Sequence, residues 1–323
     1  MIHKQRMLAF VLAIVNISIS WAQKEPQYTQ YMYNVGSFNP AYVGSVEHLD
    51  FSLLYRAQWI EVPGAPTTGR FGVNYPFENK KMGLGFNVVN DELGPLNQTY
   101  VDIAYSYQVN LNDAARLSFG VDVGGSFLNI DYTKGNFENP ADPSAVGGQF
   151  NGFYPTIGAG LFLYDEDWYV GASVPNFLTN GIYNDEIGSV VEDKIQYNLI
   201  GGYVFELSEE VLFKPALLFN YLEGAPINLN LSANFQFAEL VTLGASYRID
   251  NAMSGLAGIQ ISNSIFFGYS YDYNTNGFGQ YNNGSHEAIL KFYLGREGRD
   301  RSGSSKNKRF KGKPKQIDSP RFF

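Results

Sequence analysis

The sequence predicts an all-β fold, an outer-membrane β-barrel of about 14 antiparallel strands with both termini in the periplasm. Three observations predict it. The chain opens with an export signal, its body alternates apolar and polar residues with a period of two, and its connections alternate between long and short.

The signal comes first. Lys4 and Arg6 precede an apolar run from Met7 to Ile19, and Ser20-Trp21-Ala22 places small residues at the two positions a signal peptidase reads. This predicts cleavage after residue 22 and a mature chain beginning at Gln23. The apolar run is too short for a spanning helix, and no later stretch has spanning length. Residues 23–48 then form an aromatic segment expected in the periplasm or plugging the barrel, 49–294 the barrel, and 295–323 a flexible tail.

The period-two pattern carries the fold. Between Tyr100 and Val109, one face is Val101, Ile103, Tyr105, Tyr107 and Val109; the other is Tyr100, Asp102, Ala104, Ser106 and Gln108. Arg116–Phe127 divides the same way, with Leu117, Phe119, Val121 and Val123 against Arg116, Ser118, Gly120 and Asp122. The runs 227–237, 241–249 and 265–273 repeat it. A soluble sandwich turns such an apolar face inward, whereas a membrane barrel turns it to lipid and the small, polar face to the lumen. Many runs reach the length that spans a bilayer. Strands are expected at 49–58, 67–75, 81–90, 97–109, 114–131, 153–163, 167–174, 192–205, 210–221, 226–237, 240–249, 254–262, 264–273 and 285–294. The odd-numbered gaps, such as 91–96, 132–152 and 175–191, tend to be long and the even ones short, which places the long loops outside the cell. On this parity Asp102, Arg116, Asp122, Arg248 and Lys291 face the lumen.

Charge divides the chain. Residues 295–323 hold ten basic and three acidic residues, while 23–294 holds 11 basic and 28 acidic. An acidic body excludes nucleic acid as the main partner. The tail cluster Lys306, Lys308, Arg309, Lys311, Lys313 and Lys315 is suited to acidic periplasmic proteins, peptidoglycan or anionic headgroups, or is simply solvated.

Catalysis finds little support. The chain has no cysteine and three histidines, and no metalloprotease or phosphate-loop motif. Ser285 and His286 are adjacent, so on a strand they point to opposite faces. Asp272-Tyr273-Asn274-Thr275-Asn276-Gly277 resembles half a calcium loop, yet position twelve is Asn283 and the stretch reads better as a hairpin loop. No catalytic residue, metal or cofactor is expected.

The stretch Gln27-Tyr28-Thr29-Gln30-Tyr31-Met32-Tyr33-Asn34, followed by Phe38-Asn39-Pro40-Ala41-Tyr42-Val43-Gly44-Ser45, resembles the opening of the PorP/SprF family of type IX secretion outer-membrane proteins. Leu54-Tyr55-Arg56-Ala57-Gln58-Trp59 and Pro63-Gly64-Ala65-Pro66-Thr67-Thr68 resemble its first strand and first external loop. The resemblance implies a Bacteroidota barrel in outer-membrane lipid. Such a barrel works with the secretion and gliding machinery, where members help export or hold a secreted cargo protein or an adhesin's C-terminal domain. It implies no enzyme. Candidate partner-binding residues are Gln30, Tyr31, Asn39 and Pro40 in the first segment, which otherwise only closes the barrel, and Trp59, Pro63, Gly64 and Pro66 in the loop, which otherwise folds over the pore mouth. The alternative is a pore for small solutes through a polar lumen.

Overall fold

In the computed structural model, residues 26–78, 81–134, 148–178 and 194–294 are described; the signal segment and the basic tail lie outside them. Alternating residues build one continuous antiparallel sheet. Its strands are β1 (Leu49–Ala57), β2 (Thr67–Pro76), β3 (Met82–Leu93), β4 (Leu96–Asn110), β5 (Arg116–Asp131), β6 (Gln149–Tyr164), β7 (Trp168–Val174), β8 (Gln196–Tyr203), β9 (Phe205–Glu206), β10 (Val211–Leu222), β11 (Asn228–Phe237), β12 (Val241–Arg248), β13 (Ala252–Ser262), β14 (Ile265–Asn274) and β15 (Ser285–Leu294). β8 and the two-residue β9 pair in turn with β10, so together they form one stave. Every other strand pairs with its sequence neighbours, and β15 pairs with β1 to close the ring. The result is the closed 14-stave barrel the periodicity predicts, each stave paired with a neighbour on both sides, β6 with β7 over Ala159–Tyr164.

The two faces are reversed relative to a soluble protein. Val121 and Val123 are 54% and 56% exposed on the outside, whereas Ser106, Ser118 and Ser270, at 0%, point inward. Apolar outward residues suit lipid. The inner wall departs from expectation in one arc: Phe162, Tyr164, Tyr169 and Ile200 point inward and are buried. A purely polar lumen would suit water, but this arc faces an apolar segment of the chain itself and packs on it.

Connections are uneven at the two rims. One rim carries 77–81, 111–115, 165–167, 207–210, 238–240 and 263–264, all short. The other carries the long connections 58–66, 132–148, 175–195 and 275–284. The expected loop at 91–96 is instead a tight turn around Gly94 (φ +56°) and Pro95, because β3 and β4 run on past the expected strand ends. The long-loop rim is therefore mixed, with turns of a few residues between its loops.

Candidate functional site: a plugged lumen and its vestibule

Residues 26–48 lie inside the barrel. Three short 3-10 turns, η1 (Tyr31–Tyr33), η2 (Val35–Ser37) and η3 (Pro40–Tyr42), compact them into a plug. Asn39 starts η3: its backbone is extended, as a residue before proline must be, and its Oδ1 accepts from Ala41 N at 3.0 Å. Its Nδ2 donates to Leu161 O on β6 at 3.1 Å. One amide thus caps a turn and fixes it to the wall.

The wall is shaped to receive this backbone. A Cβ on Gly120 would collide with Pro40 and Ala41, one on Gly160 with the Asn39 amide, and one on Gly83 with Gly44. Plug and sheet thus meet backbone to backbone, and wall side chains supply the donors that plug carbonyls lack. Ser118 Oγ donates to Ala41 O and Ser173 Oγ to Phe38 O, both at 2.6 Å, and Gln108 Nε2 donates to Gly44 O at 2.7 Å. Tyr31, Met32, Val35 and Tyr42 fill the space against Phe162, Tyr169 and Ile200. Each fully buried side chain of this kind is worth roughly 1.5–3 kcal/mol. Burial pushes the Tyr33 phenol up to about 12.

A buried ionic clamp holds the plug's first turn. Glu287 on β15 accepts from Thr29 N at 2.9 Å and Gln30 N at 2.8 Å. Asp272 on β14 accepts from Thr29 Oγ1 at 2.7 Å. Arg56 on β1 spans both carboxylates, at 2.6 Å to Asp272 and 3.0 Å to Glu287, and donates to Thr29 Oγ1 at 3.0 Å. A second buried pair, Lys291 with Asp50 at 3.0 Å, joins β15 to β1 lower in the lumen. The stretch that resembles half a calcium loop begins in this clamp. Asp272 is committed to the clamp, and Asn274, Asn276 and Asn282 bond within the hairpin loop.

Above the plug lies a vestibule of about 360 Å³. Pro26, Gln27, Tyr28 and Gly36–Phe38 form its floor, and residues of the long-loop rim, including Pro175, Pro226 and Asn251, form its upper wall. Asp102, Asp122 and Arg248 line it. Lys291 is buried in its pair, and Arg116, at the short-turn rim, reaches Tyr164.

Gln30, Tyr31, Asn39 and Pro40 are all buried against the wall, away from both rims. The 58–66 loop is on the long-loop rim. Its backbone is tied to the 275–284 loop through Ile60 N to Gly284 O at 2.9 Å, and to the β3–β4 turn through Gly94 N to Gly64 O at 2.9 Å. Trp59 packs edge-on to Phe278 with centroids 5.0 Å apart. Pro63 and Gly64 (φ +71°) are exposed, and Pro66 is buried. The clamp was missed from sequence, although Glu287 shares the inward parity of Lys291, and Arg56 that of Asp50.

The family model for the type IX secretion system membrane protein PorP/SprF matches residues 20–292. The chain belongs to the PorP/SprF family. Its closed barrel, apolar outside, places this PorP/SprF chain in the outer membrane. No curated protein matches it. Among solved structures it is similar to the CymD monoaromatic hydrocarbon channel, at 14% identity and TM-score 0.49, covering 83% of this chain and 93% of that one. It is also similar to the Acinetobacter baumannii outer membrane protein Omp33, at 7% identity and TM-score 0.46, covering 78% and 100%. A Pseudomonas aeruginosa FadL homologue gives 10% and 0.44, covering 83% and 95%.

Proposed function

We propose that this PorP/SprF protein is a non-enzymatic docking barrel that binds a secreted cargo or adhesin at its long-loop rim. It helps the type IX machinery export the cargo or anchor it at the cell surface, including in gliding. The observation that carries the reading is the plug. A segment seated by wall glycines, hydrogen bonds and a buried ionic clamp argues against a through channel and leaves the loops and vestibule as the working surface. The difference in connection length supports an external long-loop rim and a periplasmic short-turn rim. Leu294 ends β15 at the short-turn rim. The basic tail that follows then starts in the periplasm, where its charge suits an acidic periplasmic partner or peptidoglycan.

The test is recovery of the tagged protein from its native outer membrane by gentle solubilisation. The expected result is stoichiometric copurification of a large secreted protein or a type IX component, with no steady conductance in planar bilayers. Recovery of the barrel alone, with stable ion-selective conductance, would replace docking by the solute-pore reading.

A further inference from the structure

Arg248 ends β12 on the inner wall and is 6% exposed. Its Nε donates to Asn230 Oδ1 at 2.6 Å, and it makes no ion pair among the described residues. Its two terminal nitrogens therefore have no protein acceptor, although the side chain lines the vestibule. Arg56 repels it and Asp272 and Glu287 attract it from a distance, so it shares the clamp's charge balance, but neither carboxylate uses its donors. A guanidinium so placed is built to receive a planar anion.

The neighbouring amides extend the pattern. Arginine only donates, so Asn230 must offer it Oδ1 and present Nδ2 onward. That Nδ2 donates to Asn228 Oδ1 at 3.1 Å, which leaves Asn228 Nδ2 as a free donor. Across the sheet, Asn220 gives Nδ2 to Asn198 Oδ1 at 2.7 Å, which leaves Asn220 Oδ1 as a free acceptor. Asn220 and Asn228 are direct cross-strand partners, as are Asn230 and Arg248. The wall thus presents a two-pronged cation, a neutral donor and a neutral acceptor in one patch.

We infer that the vestibule captures the carboxyl-terminal end of an extended peptide, the terminal carboxylate on Arg248 and the preceding peptide group on Asn228 and Asn220. A peptide end carries one carboxylate followed by neutral groups that both donate and accept. A polyuronate chain repeats its negative charge and would meet Asp102 and Asp122, which line the same cavity. The volume admits a chain end but not a folded domain. This inference rests on the docking reading, for which it names the part of the partner that enters the barrel.

The test uses the full-length protein in detergent and a short dye-labelled peptide of alanine and serine, made with a free carboxyl terminus and as its amide. The free acid is expected to bind about tenfold more tightly than the amide. R248Q should abolish that preference. N228D, which keeps Arg248 but replaces the Asn228 donor with a like charge beside the ligand carboxylate, should weaken both peptides and the free acid more than the amide. Heat-modifiable mobility on gels verifies that both variants are folded. Equal binding of acid and amide to the wild type, or an unchanged preference in folded R248Q, would overturn the inference. An oligogalacturonate that binds more tightly than the peptide and loses affinity in R248Q would overturn its peptide assignment. None of these results depends on whether cargo copurifies, so docking and carboxylate capture fail independently.

Discussion

At the residue scale, Arg56 is the side chain on which the plug's seating most depends. It is the ion-pair partner of two buried carboxylates, with Arg248 adding a second positive charge at longer range. Arg56→Gln is expected to destabilise the barrel by about 3–5 kcal/mol, read as a lowered transition in heat-modifiable mobility. Glycine gives a paired prediction. Gly120→Ala places a methyl against plug backbone and should cost about 1–3 kcal/mol, whereas Gly255→Ala, with nothing nearby to meet, should fall within about 0.5 kcal/mol of wild type. Comparative unfolding in detergent checks both. Parity made the lumen-facing charges legible in the sequence, since alternation alone decides which face a strand residue takes. It did not reveal which charges meet, because Arg56 on the first strand reaches Asp272 and Glu287, neighbours on the last hairpin, only through ring closure.

At the element scale, the staves were readable and the plug was only half so. Repeated alternation announces a strand many times over, whereas η1, η2 and η3 are single turns with no period to read. Asn39-Pro40 marked a directed turn, but what it packs against depends on glycines far along the chain. The same cause explains the aromatic arc at Phe162, Tyr164 and Tyr169, an inward apolar stripe that makes sense only with the plug beside it. The absence of cysteine allows a direct check of occlusion. A single cysteine at Asn228, in the vestibule, should react with a water-soluble maleimide, and one at Ser118, under the plug, should not. Labelling at both sites would mean the lumen is open to solvent throughout.

At the scale of the whole molecule, the barrel has two unlike rims, and topology assigns them opposite solvents. On intact cells, a membrane-impermeant maleimide should label a cysteine at Pro63, exposed in the 58–66 loop, and should leave one at Asp113, exposed in the β4–β5 turn, unlabelled until the outer membrane is permeabilised. The reverse result would invert the barrel. The clamp has a consequence for assembly as well. Its three charged residues stand on β14, β15 and β1, the last two strands of the chain and the first, and Arg56 and Glu287 are themselves register partners across the β1–β15 seam. Thr29 and Gln30 grip the same carboxylate from inside. The earliest part of the folded chain therefore works as a cotter pin through the joint where the ring is sealed. Zipping of the final strand onto the first completes the carboxylate site that receives the N-terminal segment, and a chain that sealed empty would leave Glu287 without the Thr29 and Gln30 donors at its own seam.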